Sequence, residues 1–101
     1  MKIAVAAEKP DLDAHISSAS GRSPYYLIFE DGKLVKQIKN PFMFGGGAGF
    51  AMAQLLADEG VELVIVGQVG PNFVNVLQSR GVKYKIMTGT VKQAVESVSN
   101  A

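Results

Sequence analysis

The residues best placed to do chemistry are Gly45-Gly46-Gly47-Ala48-Gly49, which run directly into Phe50-Ala51-Met52-Ala53-Gln54-Leu55-Leu56. A glycine run that feeds an amphipathic helix leaves backbone N–H groups bare at the helix start, where the dipole favours an anion. Glycine also lets a bulky ligand approach the backbone closely. The competing explanation is a strand-to-helix turn whose glycines only satisfy turn geometry. The run lacks the Lys-Ser/Thr ending of a nucleotide P-loop.

A second glycine turn, Gly67-Gln68-Val69-Gly70-Pro71-Asn72, follows an apolar run and opens onto Pro71, which suits the first turn of a helix. If the strands before the two turns are parallel, both turns sit at the carboxyl end of one sheet, where open α/β sheets bind ligands. The segments 8–24, 42–49 and 67–72 then converge on one cleft, with Gly89-Thr90 beside it. Arg22 can pair with an anion there or form a structural salt bridge. His15, the single histidine, is either a metal ligand near Asp11 and Asp13 or a loop residue making one hydrogen bond. Phe42, Met43 and Phe44 read as gap-fillers, as a cover for a ligand, or as an exposed contact patch for a partner protein.

Other chemistries are poorly supplied. The chain has no cysteine, which removes disulfides, thiolate metal sites and thiol nucleophiles. There is no Gly-x-Ser-x-Gly elbow and no two-histidine metal signature. A net charge of +1 gives no reason to expect nucleic acid or an anionic membrane as partner. Lys33, Lys36 and Lys39 read as a solvated strip. With 101 residues, 48% of them hydrophobic, the expectation is one domain over 1–101. Residues 3–7 are cut off by Glu8-Lys9-Pro10 too soon for a secretory signal, so a soluble cytoplasmic protein is expected.

The elements that must position these residues follow from pattern. Residues 3–7 are a continuous apolar run, read as a strand buried on both faces, and 61–66, with Glu62 near its start, read as another buried apolar strand. Residues 25–29 are aromatic and β-branched, Asp31-Gly32 marks a two-residue hairpin, and 34–39 return antiparallel as an edge strand. A helix is predicted over 48–59, with Ala48, Ala51, Met52 and Leu55 on its buried face and Gly60 at the left-handed stop; Asp58 and Glu59 oppose its dipole. Phe73, Val76 and Leu77 make the stripe of the next helix, which Gly81 ends. Val82, Tyr84 and Ile86 alternate with Lys83 and Lys85, a strand with one wet face. Thr90-Val91-Lys92-Gln93 is a capping box, and Val91, Ala94, Val95 and Val98 form the last stripe. The order β-β-β-α-β-α-β-α predicts an α/β domain with a mixed five-stranded sheet and helices packed on it.

Several of these segments, taken in order, resemble one family. They are Met1-Lys2-Ile3-Ala4-Val5-Ala6, Gly21-Arg22-Ser23-Pro24-Tyr25-Tyr26, Asn40-Pro41 followed by Gly46-Gly47-Ala48-Gly49, Val66-Gly67-Gln68-Val69-Gly70-Pro71-Asn72, and Gly81-Val82-Lys83-Tyr84. The chain is similar to the dinitrogenase iron–molybdenum cofactor biosynthesis family, the NifX-like domains. That resemblance implies a ribonuclease H-like fold without nuclease chemistry. It also implies a non-catalytic carrier for an iron–molybdenum or other metal–sulfur cluster, working with cofactor-assembly proteins. Many members carry a histidine just before a phenylalanine-glycine pair; here Ala19-Ser20 precede Gly21, and His15 does not align with that histidine. The site implied is therefore Arg22, Gly45, Gly46, Gly47, Gly49, Gly70 and Asn72, with His15 as metal ligand after loop rearrangement. The alternative function is a small enzyme or sensor that binds a phosphorylated or nucleotide-like ligand at the same helix starts.

Overall fold

The computed structural model describes residues 1–99. Its elements are β1 (Lys2–Ala7), β2 (Tyr25–Glu30), β3 (Lys33–Lys39), α1 (Ala48–Asp58), β4 (Leu63–Val66), α2 (Pro71–Ser79), β5 (Lys83–Ile86) and α3 (Val91–Ser99). The strands form one sheet in the order β3-β2-β1-β4-β5. β2 is antiparallel to both β1 and β3, while β1, β4 and β5 run parallel. This is the predicted mixed five-stranded α/β architecture in the predicted element order.

Strand alternation divides the core into two layers. Ala4 and Ala6 of β1, Tyr26 and Ile28 of β2, and Val64 and Val66 of β4 pack with Met52, Ala53 and Leu56 of α1 and with Phe73, Val76 and Leu77 of α2. The alternate residues Ile3, Val5, Leu27, Phe29 and Ile65 pack with Val91, Ala94 and Val95 of α3 and with Ala14 and Ile16 of the first loop. The α2 and α3 stripes are those predicted. The buried face of α1 is rotated from the expected one: Ala53 and Leu56 are fully buried, while Ala51 and Leu55 are half-buried. The cause is α2, which packs alongside α1 and draws that flank inward.

Local chemistry accounts for the boundaries. Asp31 and Gly32 both have positive φ (51° and 83°), as a tight I′ hairpin requires. Thr90 and Gln93 exchange both capping-box bonds, at 2.9 and 3.1 Å. The unfavourable carboxylates at the end of α1 are offset by cations from elsewhere. Arg80 meets Asp58 at 2.8 Å, Lys36 meets Glu59 at 2.7 Å, and the Lys2 ammonium donates to the Glu59 carbonyl at 2.6 Å.

One strand departs from expectation. Tyr84 and Ile86 are 36% and 55% exposed, so β5 is wet on both faces. β5 is an edge strand bonded on one side only, and neither core cluster includes any of its residues. Lys83 and Lys85 discourage further strand pairing there.

All parallel strands end at one rim. The segments after β1, β3, β4 and β5 therefore gather there, and the hairpin lies at the opposite pole. At the rim, Gly67 passes so close to the first loop that an added Cβ would lie 2.6 Å from the Ser17 carbonyl oxygen. Around Gly46 a Cβ would meet nothing within 4 Å. Gly67→Ala should cost about 1–3 kcal/mol of stability by overpacking, whereas Gly46→Ala should stay within about 0.5 kcal/mol of the parent; urea unfolding measures both.

At the hairpin pole the N-terminal ammonium contacts the Asp31 carboxylate at 2.8 Å. The bond and its charge hold Asp31 below the ordinary carboxylate range and raise the amine above its usual value. The pair is intact at neutral pH. It is lost as pH falls through the lowered Asp31 value and as pH rises through the raised amine value. Asp31→Asn should therefore bring the amine pKa down, as followed by NMR titration.

Candidate functional site

The rim carries an open cleft with a volume of 360 Å³. Residues 19–22 of the first loop form one wall, the α1 start at 47–49 a second, and the α2 start at 70–73 a third. Gly47 is the N-cap of α1 with φ 80°, and Gly70 is the N-cap of α2 in extended conformation; neither helix has a side-chain cap bond. Two adjacent helices therefore present uncapped first turns to one hollow, and their dipoles make it electropositive. No carboxylate lines it.

What holds the walls together is a buried polar framework. The Asn40 amide nitrogen donates to the carbonyls of Gly21 and Ser23, each at 2.8 Å, and its amide oxygen accepts from the Phe42 N–H at 2.7 Å. The Tyr26 hydroxyl donates to the Ser20 carbonyl at 2.8 Å, and burial pushes its pKa well above the ordinary phenol value, so it remains a donor. The Tyr26 ring stacks on Phe73 in the first turn of α2, with centroids 6.5 Å apart. One tyrosine thus joins the first wall to the third. Gly21 joins the first to the second, because a Cβ on it would sit 2.5 Å from the Gly49 nitrogen.

Of the residues singled out from sequence, Arg22, Gly47, Gly49, Gly70 and Asn72 line the cleft. Gly45 and Gly46 do not line it; they belong to the exposed loop that leads to Gly47. Arg22 makes no salt bridge among the described residues. Its guanidinium donates to the carbonyls of Met43 at 2.8 Å and Gly45 at 2.9 Å. His15 lies outside the cleft, exposed, in a backbone bridge to Thr90 beside α3. The described residues contain no group of three or more His, Cys, Asp or Glu able to hold a metal ion. Phe42 packs against the α1–α2 core, in line with the gap-filling reading, and the alternative of an exposed three-residue patch reduces to Phe44, which is 92% exposed, beside a half-buried Met43.

Sequence reading missed Asn40 and Tyr26 as organisers of the site. The local bond from the Phe42 N–H to the Asn40 side chain is an Asx turn, legible in an Asn-Pro pair at a strand end. The two bonds that reach 17 and 19 residues back are set by tertiary structure.

The family model for the dinitrogenase iron–molybdenum cofactor proteins matches residues 1–101. The chain belongs to this family. The apo orange protein of Desulfovibrio gigas is 31% identical to the chain, with a TM-score of 0.88 over 98% of this chain and 87% of that one. A candidate NifB protein from Thermotoga is 28% identical, with a TM-score of 0.83 over 99% of this chain and 88% of that one. A candidate dinitrogenase from Methanocaldococcus jannaschii, 16% identical with a TM-score of 0.61 over 96% of this chain and 89% of that one, shares the fold. No curated protein matches the chain. No helix among the described residues is long and apolar enough to cross a membrane.

Asn40 has an identifiable cost of removal. Asn40→Asp replaces a donor with an ionised acceptor facing two carbonyls. It should lower stability at neutral pH by about 1–3 kcal/mol. Burial and the two facing carbonyls raise that carboxyl's pKa, although the Phe42 N–H still donates to it, so the loss should shrink as pH falls and the acid regains an O–H to donate. Urea titrations at pH 7 and pH 4.5 read this, and equal losses at both would refute the donor role.

Proposed function

We propose that the cleft receives an anionic metal–sulfur cluster, or a precursor of one, and that the protein is a non-catalytic carrier that passes this cargo to cofactor-assembly proteins. The observation that carries the reading is the pair of uncapped helix starts that border one carboxylate-free hollow, with Arg22 among its lining residues. Family membership supports a role in iron–molybdenum cofactor handling.

The residues present fit such a guest. Sulfide and oxo groups accept hydrogen bonds and carry the negative charge, so they suit oriented amides and helix dipoles. The Gly49 and Phe73 amides lie in the first turns of their helices, and Asn72 and Arg22 line the same space. Glycine at 47, 49 and 70 keeps side-chain bulk from between the guest and the backbone. Binding by hydrogen bonds and charge needs no cysteine or histidine ligand. When bound, the cluster brings its own metal chemistry; the chain recognises and retains it.

Anaerobic reconstitution with tetrathiomolybdate and iron, followed by desalting and metal analysis, should leave metal with the protein. No retained metal, or thermal stabilisation by nucleotides and sugar phosphates alone, would overturn the carrier reading. Asn72→Asp gives a sharper test. At the second position of α2 an aspartate stabilises the helix by about 0.3–1 kcal/mol. The same carboxylate repels an anionic guest. Thermal stability should hold or rise while metal retention falls at least roughly tenfold.

A further inference from the structure

Arg22 is shared between two duties. It is among the residues that line the cleft, and its guanidinium donates to the loop that enters α1, at the carbonyls of Met43 and Gly45. That loop is anchored at both ends. Phe42 packs on the core and is bonded to Asn40, and Ala48 is buried at the helix start. Between these anchors, among the described residues, no hydrogen bond other than the two from Arg22 reaches Met43, Phe44, Gly45 or Gly46. Gly45 and Gly47 have φ of 92° and 80°, and a Cβ on either would meet nothing, so the segment has pivots and free space. Phe44, on the outside of this segment, is 92% exposed.

Resting on the carrier reading above, we propose that Arg22 is a latch that couples occupancy of the cleft to the Met43–Gly46 segment. In the empty protein the guanidinium holds the segment through two neutral carbonyls. A multiply charged anion in the cleft offers charge-assisted bonds, which are shorter and stronger than bonds to carbonyls. Arg22 then turns to the anion and the segment loses its only side-chain tether. Loading thereby changes the presentation of the exposed Phe44, so that the loaded and empty forms expose different surfaces. The fork geometry is essential, since two parallel donors span Met43 and Gly45 at once and a lysine ammonium lacks that planar reach.

The test uses backbone amide NMR of the full chain with tetrathiomolybdate, a diamagnetic anion, as probe. In the parent protein the heteronuclear NOE of residues 43–46 should be high without anion and fall on addition, while the amides of Gly49, Asn72 and Phe73 shift. In Arg22→Lys the NOE of 43–46 should already be low without anion and should not change on addition. Arg22 is exposed, so both proteins are expected to keep the same dispersed spectrum elsewhere. The latch is overturned if the helix-start amides shift while the segment keeps its order, or if Arg22→Lys without anion is as ordered as the parent. Absence of any amide shift in the parent would remove the carrier reading itself, and the latch with it.

Discussion

The site depends on a backbone crossing. Gly21 lies against the first residues of α1 at a separation that no side chain permits, and Asn40 holds it there through the Gly21 carbonyl. A long first loop would ordinarily wander over the end of the sheet. Here it is pressed onto a helix start, sewn to the strand below by Asn40, and tied at Ser20 by the Tyr26 hydroxyl. Three segments distant in sequence become walls of one hollow: hydrogen bonds hold the first, the close fit of Gly21 sets the second against it, and the Tyr26–Phe73 stack brings in the third. Among the described residues no loop or capping side chain takes the Gly49, Asn72 or Phe73 N–H. The arrangement is a polar framework in which each buried partner is paired, the condition under which such a framework adds rigidity rather than cost.

Much of this was legible in the chain, for physical reasons that differ by element. The strands β1 and β4 read clearly because a sheet covered on both faces demands unbroken apolar runs. The hairpin read clearly because Asp31-Gly32 is one of the few pairs that accept positive φ twice. The capping box before α3 is a short-range code and was found as written. The gathering of glycine turns at one rim was legible only conditionally, because it rests on the parallel pairing of β1 with β4, which no local pattern fixes. The failures share a cause. The rotation of α1 toward Ala53 and the wet inner face of β5 depend on how neighbouring elements are spaced, which no local period encodes. Arg22 illustrates the same limit: its sequence neighbours suggest a charge partner, whereas its partners are carbonyls 21 and 23 residues away.

Glycine carries two distinct meanings in this chain. At 21 and 67 it is steric, since neighbouring backbone already fills the space a side chain would need. At 46 and 70 nothing crowds the position, and at 47 the left-handed conformation alone favours it. The first kind assembles the rim. The second kind leaves it unobstructed. The glycine run thus combines conformational need with open space, which is why its spacing by itself could not separate a turn from a receptacle.

The antiparallel β2 has a consequence for how the molecule can be handled and joined. By returning the chain to the far end of the sheet, it puts the hairpin beside Met1, and α3 runs back toward the same end, where Met1, Ile3, Asp31, Val95 and Val98 surround one hollow. A tether, a bead or a neighbouring polypeptide fused there grips the body from behind. The business end then projects forward like the jaws of a tool held by its handle, and whatever it presents stays reachable.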